Sequence, residues 1–288
     1  MSGTREFKGL DQPEWAIAPG RAGEVCERFI KSVLAAAGKD RLVVGLSGGI
    51  DSAVAAGLAV RAVGPEKITG VMMPYATSSA ASVTDALAVG ETLGMPVQKV
   101  EITPMADAFL AGIPENSDAD RIRRGNIMAR CRMMVLYDQS AAGDALVLGT
   151  GNRTEDLLGY TTLHGDNACA LNPLGQLYKT EVRLLSAWLE LPQQMLTKAP
   201  SADLWEGQAD EDELGFTYAE VDHLLHHLVD QGLGPRRLAA LGFSADLIEK
   251  VIFRVQANSF KRNLPPVAEF SGRADPDAGI ENQGGEAS

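Results

Sequence analysis

The sequence predicts an α/β fold: a parallel sheet with helices on both faces, followed by a helical C-terminal part. Three observations carry that expectation. Short apolar runs alternate with stretches of helical spacing, the pattern of βαβ units. The first apolar run leads straight into Gly45-Leu46-Ser47-Gly48-Gly49-Ile50-Asp51-Ser52, a glycine turn that opens a helix. The residues with chemical potential then fall just after strands, where open parallel sheets bind their ligands.

Taken in order, residues 23–37 have helical spacing (Val25, Phe29, Val33, Leu34) and are expected to cover one face of the sheet. Residues 42–46 read as the first strand and 53–63 as an Ala-rich helix that packs closely. A second strand is expected over 67–73, ending at Pro74, then a helix over 82–93 and a third strand over 97–102. Residues 117–140 form a long helix with Ile127, Cys131, Met134 and Val135 on one side and several Arg on the other. The fourth strand, 145–148, ends in Gly149-Thr150-Gly151. Beyond Asn172, helices are expected over 179–191, 218–231 and 245–258, with a polar, acidic stretch at 199–215 between the first two. Residues 271–288 lack periodicity and are expected to be disordered.

The 288 residues are 45% hydrophobic and 22% charged, ordinary for a soluble globular protein. A net charge of −12 argues against non-specific nucleic-acid binding, which needs an excess of Lys and Arg. Cys26, Cys131 and Cys169 suggest neither a disulfide framework nor a cysteine zinc site, so a reducing cytoplasm is expected. Residues 1–20 lack the basic-then-apolar layout of a signal peptide. The most apolar stretch, 42–60, contains Gly48, Gly49, Asp51 and Ser52 and is no membrane span.

The glycine turn carries the chemistry. Ser47, Gly48, Gly49 and Ser52 place N–H groups and hydroxyls at the positive end of a helix, which suits phosphate. Asp51 at the rim can hold a divalent cation that bridges phosphate oxygens. A plain strand-to-helix turn needs one glycine and no acid. The run is not a Walker A loop, because no Lys follows its glycines, and Gly149-Thr150-Gly151 fails the dinucleotide fingerprint at Thr154. His223, His226 and His227, with Asp222 beside them, have helical metal spacing. No second cluster completes a site, and a solvated helix face is expected.

The glycine turn resembles the pyrophosphate loop of the N-type ATP pyrophosphatases, which cleave ATP between its α and β phosphates. The blocks Gly149-Thr150-Gly151-Asn152-Arg153-Thr154-Glu155 and Gly159-Tyr160-Thr161-Thr162-Leu163-His164-Gly165-Asp166 are similar to a region of NAD synthetases. So are Asn172-Pro173-Leu174-Gly175 with Lys179-Thr180-Glu181-Val182, Pro200-Ser201-Ala202-Asp203-Leu204, and the N-x-x-x-R-x-R-M run from Asn126 to Met133. The resemblance runs from about residue 23 to 265. It implies a Rossmann-like adenine nucleotide alpha hydrolase fold in one domain, preceded by a segment at 1–22 and followed by an acidic tail at 266–288.

The resemblance also implies a two-step reaction. The carboxylate of deamido-NAD attacks the α-phosphorus of ATP, and ammonia then displaces AMP from the acyl-adenylate. ATP contacts are implied for Gly45, Leu46, Ser47, Gly48, Gly49, Ile50, Asp51, Ser52, Thr150, Lys179 and Ser201, and Mg²⁺ ligands for Asp51 and Glu155. Arg130, Arg132, Asp166 and Lys261 fall at the deamido-NAD side. Asp51, Asp166 and Lys179 are the expected catalytic residues, with Asp166 binding ammonium and helping to remove its proton. Leu163, Ala170 and Phe260 depart from the Lys, Asp and His of the common bacterial pattern, all expected on the deamido-NAD side. The segment ahead of the first core helix is too short for the amidase domain of glutamine-using relatives. Free ammonia, or ammonia from a separate amidase, is therefore expected. A homodimer is implied as well, with Met128, Met133 and Met134 of the long helix offering apolar surface.

Overall fold

Among the described residues, four short strands form a fully parallel sheet in the order β3-β2-β1-β4, with β1 (Leu42–Gly45), β2 (Ile68–Met72), β3 (Val97–Lys99) and β4 (Leu146–Leu148). The structure is a computed structural model that describes residues 10, 12–114, 117–198, 210–263 and 265–268. Ser201, most of the acidic stretch at 199–215 and nearly all of the tail at 266–288 lie outside the described residues.

β1 is central. It pairs in register with β2 (Leu42 with Ile68) and with β4 (Leu42 with Leu146). A parallel strand covered on both faces reads as an unbroken apolar run, as Leu42-Val43-Val44 does. The pleat sends Leu42 and Val44 into one layer and Val43 into the other. The first layer holds α1 (Pro19–Ala36), α2 (Ile50–Val63) and α3 (Ala80–Leu93). The second holds α4 (Thr103–Leu110) and α5 (Asp118–Ala142). β3 is three residues long rather than six, although the N–H groups of Val100 and Ile102 still donate to the carbonyls of Met72 and Pro74 before Thr103-Pro104 opens α4.

Two helix faces differ from expectation. α1 buries Ala22, Cys26, Ile30 and Leu34, an i, i+4 row, and leaves Val25 and Phe29 exposed. Gly23 explains the choice: a Cβ there would lie 2.6 Å from the Trp188 ring, so only a glycine lets α1 seat against this indole. On α5, Met128 belongs to the core with Cys131, whereas Met134 faces out together with Ile122 and Tyr137.

After β4 come α6 (Arg153–Leu158), α7 (Lys179–Trp188), α8 (Gln194–Thr197) and α9 (Asp210–Leu214). They are followed by α10 (Tyr218–Leu225), α11 (Pro235–Ala240) and α12 (Ala245–Ala257). Leu157 and Leu158 of α6, Val221, Leu224 and Leu225 of α10, and Leu247, Ile248 and Val251 of α12 share a second apolar cluster. α7 packs against α1 and α2 on one side and α10 on the other, and so couples this cluster to the sheet. The helix expected over 218–231 continues past α10 as a π turn at His226–Asp230.

The three cysteines are free, and Cys26 is buried with its Sγ donating to the carbonyl of Pro173 at 3.2 Å. Burial, reinforced by the charge of Glu27, pushes this thiol up to about 11. At pH 8 only about one molecule in a thousand then carries the Cys26 thiolate. Iodoacetamide at that pH is expected to leave Cys26 unmodified in the native protein and to label it after denaturation. Rapid native labelling, read by peptide mass spectrometry, would contradict this packing.

Candidate active site

The glycine turn leaves the carboxyl end of β1 and becomes α2, so its N–H groups sit at the positive end of a fourteen-residue helix. Gly48 has φ +74, and a Cβ there would lie 2.2 Å from the carbonyl oxygen of Ser82 in α3. Backbone conformation and close approach each demand glycine at this position. The Ser47 and Ser52 hydroxyls lie 3.2 Å apart. Ser47 Oγ accepts the Gly49 N–H at 3.2 Å, and Ser52 Oγ donates to the Gly49 carbonyl at 3.0 Å. The loop is thus held in shape by its own side chains.

The neighbouring strand supplies the opposite wall. β4 runs into Gly149-Thr150-Gly151, with Thr150 half-buried, and Asn152 caps α6. Asn152 and Glu155 form a reciprocal capping box. The same Asn152 side chain donates from Nδ2 to Asp51 Oδ1 at 2.8 Å, tying the two loops together. Lys179, first residue of α7, reaches into this junction. Its Nζ donates to Asp51 Oδ2 at 2.6 Å and to Glu155 Oε1 at 3.0 Å, and it sits 4.9 Å from the centre of the Tyr218 ring.

Lys179 is 3% exposed. Burial alone would lower its pKa, but Asp51 and Glu155 outweigh that and hold it above the ordinary lysine value. One cation between two carboxylates leaves a surplus negative charge. The Glu155 carboxyl accordingly stands above its usual range, chiefly through burial and further through Asp51, with Lys179 opposing. Among the described residues no three metal-binding side chains cluster. Two hard carboxylates with surplus negative charge nevertheless fit Mg²⁺, which commonly takes one or two protein carboxylates and completes its shell with phosphate and water.

The residues expected on the deamido-NAD side collect around the 159–167 loop. Arg130 donates to the carbonyl of Leu163 at 3.2 Å. Lys261 Nζ donates to the carbonyls of Gly159 and Thr161 at 2.7 and 2.8 Å. Asp166 accepts the Thr162 N–H at 2.6 Å, and burial of its carboxyl raises its pKa, opposed by that bond and by the charge of Lys261. Arg132 diverges from Arg130 and donates to the carbonyl of Met73, at the end of β2. Phe260 is 59% exposed. The histidines form a separate feature on the exposed side of α10 and the π turn. His223 and His227 approach through their Nε2 atoms at 3.0 Å, and His226 stacks on Trp15.

Three residues at this junction had escaped sequence reading. Asn152 carried a signal, the N-x-x-E capping pattern, but nothing in the sequence said that its amide would also hold Asp51. Tyr218 covers Lys179, and its hydroxyl donates to Asp210 at 3.2 Å. Tyr160 donates to Glu213 at 2.8 Å and to Asp210 at 3.2 Å, so part of the acidic stretch docks beside the site.

A glycine-built anion loop, two carboxylates and a buried lysine at the carboxyl edge of a parallel sheet define a nucleotide-binding α/β protein of Rossmann-like type. Comparison with known proteins sharpens this. The family model described as NAD synthase matches residues 23–265, and the chain belongs to that family of ATP-consuming ligases. An NH(3)-dependent NAD(+) synthetase of Trichlorobacter lovleyi is 50% identical over 245 residues, covering 85% of this chain and 89% of the relative. Among solved structures, an NH3-dependent NAD synthetase from Campylobacter jejuni superposes with a TM-score of 0.74 at 34% identity, covering 88% of this chain and 100% of that one. An NMN synthetase from Francisella tularensis gives a TM-score of 0.77 at 35% identity, with the same coverage.

The loop geometry makes one substitution decisive. Gly48→Ala is expected to weaken ATP binding by at least about tenfold, because the loop must shift away from Ser82 to admit the methyl group. Calorimetric titration with ATP checks this, and unchanged affinity would contradict the loop assignment.

Proposed function

We propose that this chain makes NAD from deamido-NAD, ATP and ammonia through an acyl-adenylate, releasing AMP and pyrophosphate. The observation that carries the reading is the junction of Asp51, Glu155 and Lys179 beside the glycine loop, beyond the carboxyl ends of the paired strands β1 and β4. A carboxylate is a poor electrophile, and adenylation supplies it with a good leaving group. Phosphoryl chemistry of this kind asks the protein mainly for alignment and charge neutralisation.

In this reading the loop N–H groups from residue 47 to 52 receive the departing pyrophosphate. Lys179 neutralises phosphate charge, and Thr150 and Ser201 line the ATP side. Asp51 and Glu155 hold Mg²⁺, which when bound offsets phosphate charge and orients the oligophosphate. Arg130, Arg132 and Lys261 receive the acidic dinucleotide, while Asp166 takes up ammonium and removes a proton for the second step. Residues 23–265 act as one catalytic domain. The nitrogen comes as free ammonia or from a separate amidase, and the enzyme works in the cytoplasm as a homodimer. The outward Ile122, Met134 and Tyr137 of α5 suit that contact better than the buried Met128.

The likeness to the Francisella tularensis NMN synthetase favours one second reading, in which nicotinate mononucleotide rather than the dinucleotide is the acid amidated. Incubation with ATP, Mg²⁺, ammonium and either acid separates them. NAD formation from deamido-NAD is expected at the higher kcat/KM. Preference for the mononucleotide would move the assignment, and consumption of neither acid would overturn it. Asp166→Asn is expected to slow amide formation by roughly 10²–10⁴-fold while leaving a first burst of pyrophosphate. If the variant turned over with ammonium at the parental rate, Asp166 would have no part in the second step.

A further inference from the structure

Asp222 stands beside the three histidines in sequence, yet its side chain takes no part in their cluster. It is fully buried on α10, among Val221, Leu224 and Leu225. Its Oδ1 accepts the Thr154 hydroxyl at 2.5 Å. Its Oδ2 accepts both the N–H and the hydroxyl of Thr180, each at 2.7 Å. Thr154 is also fully buried, and its Oγ1 in turn accepts the backbone N–H of Lys179 at 3.0 Å.

Both threonines are sequence neighbours of site residues. Thr154 precedes Glu155 in the first turn of α6, and Thr180 follows Lys179 in the first turn of α7. The first N–H groups of a helix have no partner within it. One carboxylate satisfies the N–H of Thr180 directly. By accepting the Thr154 hydroxyl's hydrogen bond, it also turns a Thr154 lone pair toward the N–H of Lys179. Two consecutive N–H groups at the start of α7 are thereby fixed, that of Lys179 to α6 and that of Thr180 to α10. This sets the rotation of α7 at the residue whose ammonium must reach Asp51 and Glu155. A buried carboxylate is costly in an apolar cluster unless its hydrogen bonds are complete, and here they serve one end of one helix.

We propose that Asp222 is a positioning residue for the ATP site: acting through Thr180 and Thr154, and touching no substrate, it fixes the backbone from which Lys179 reaches the nucleotide phosphates. The proposal rests on the reading of Lys179 as a phosphate residue. Its test is a double-mutant cycle on the full-length chain with Asp222→Asn, Lys179→Met and the pair, measuring ATP affinity by calorimetry, KM and kcat for both substrates, and melting temperature. Asp222→Asn is expected to weaken ATP binding by about tenfold and to leave the KM for deamido-NAD unchanged. In the Lys179→Met background the same change is expected to have no further effect, because coupled residues are non-additive.

A loss that persists in full in the Lys179→Met background would overturn the proposal. So would equal losses toward both substrates that track a lowered melting temperature, since those mark a purely structural acid. If Lys179→Met alone left ATP binding and turnover unchanged, the phosphate role of Lys179 would itself fail, a distinguishable result that removes the proposal with it. Should Asp222→Asn not fold, Thr180→Val deletes one hydroxyl leg and leaves the carboxylate in place. It is expected to weaken ATP binding a few-fold, again only where Lys179 is present, and additivity would count against the proposal.

Discussion

One buried ammonium organises this site. Lys179 has almost no contact with water, and its charge is answered by Asp51 from the first turn of α2 and Glu155 from the first turn of α6. Breaking a buried ion pair by removing one partner typically costs about 3–5 kcal/mol, because the remaining charge is stranded. The three residues therefore constrain one another. They come from α2, α6 and α7, and so the contact also sets how those helices meet at the sheet's carboxyl edge. Two acids and one base carry a surplus negative charge once both carboxyls ionise, a state that a divalent cation arriving with a nucleotide would favour.

The rest of the fold can be understood as delivery of that contact. β1 and β4 are hydrogen-bonded neighbours, so the loops that leave them emerge side by side. Short parallel strands end at one level, which brings the glycine turn and the 149–155 loop together without long excursions. Asn152 performs two tasks at once, closing the N-terminus of α6 and gripping Asp51. From the far side, Tyr218 covers the lysine, and Asp222 ties down the helix that carries it.

The sheet, most of its flanking helices and the glycine turn that opens α2 were legible in the sequence, and the reason is local. Apolar runs such as Leu42-Val43-Val44, glycines that tolerate positive φ, and acids just past strand ends each carry their signal within a few residues. What escaped was set by contacts distant in the chain. α1 turned a different face inward because Trp188 meets it at Gly23, and no periodicity within α1 contains that fact. Asn152, Tyr218 and Asp222 were unreadable as site residues for the same reason. Their partners lie at Asp51, Lys179 and Thr154, brought near only by the completed fold. The short helices α4, α6 and α11 were missed because six or eight residues hold too little periodic signal to separate from a loop.

In the proposed reaction this junction opens ATP between its α and β phosphates by transferring the α phosphorus to a carboxylate oxygen. Deamido-NAD carrying ¹⁸O in its carboxyl group tests it most directly. After turnover with ATP, Mg²⁺ and ammonium, one labelled oxygen is expected in the phosphate of AMP, with unlabelled pyrophosphate as the other fragment. Label absent from AMP, or ADP and orthophosphate as the products, would contradict it.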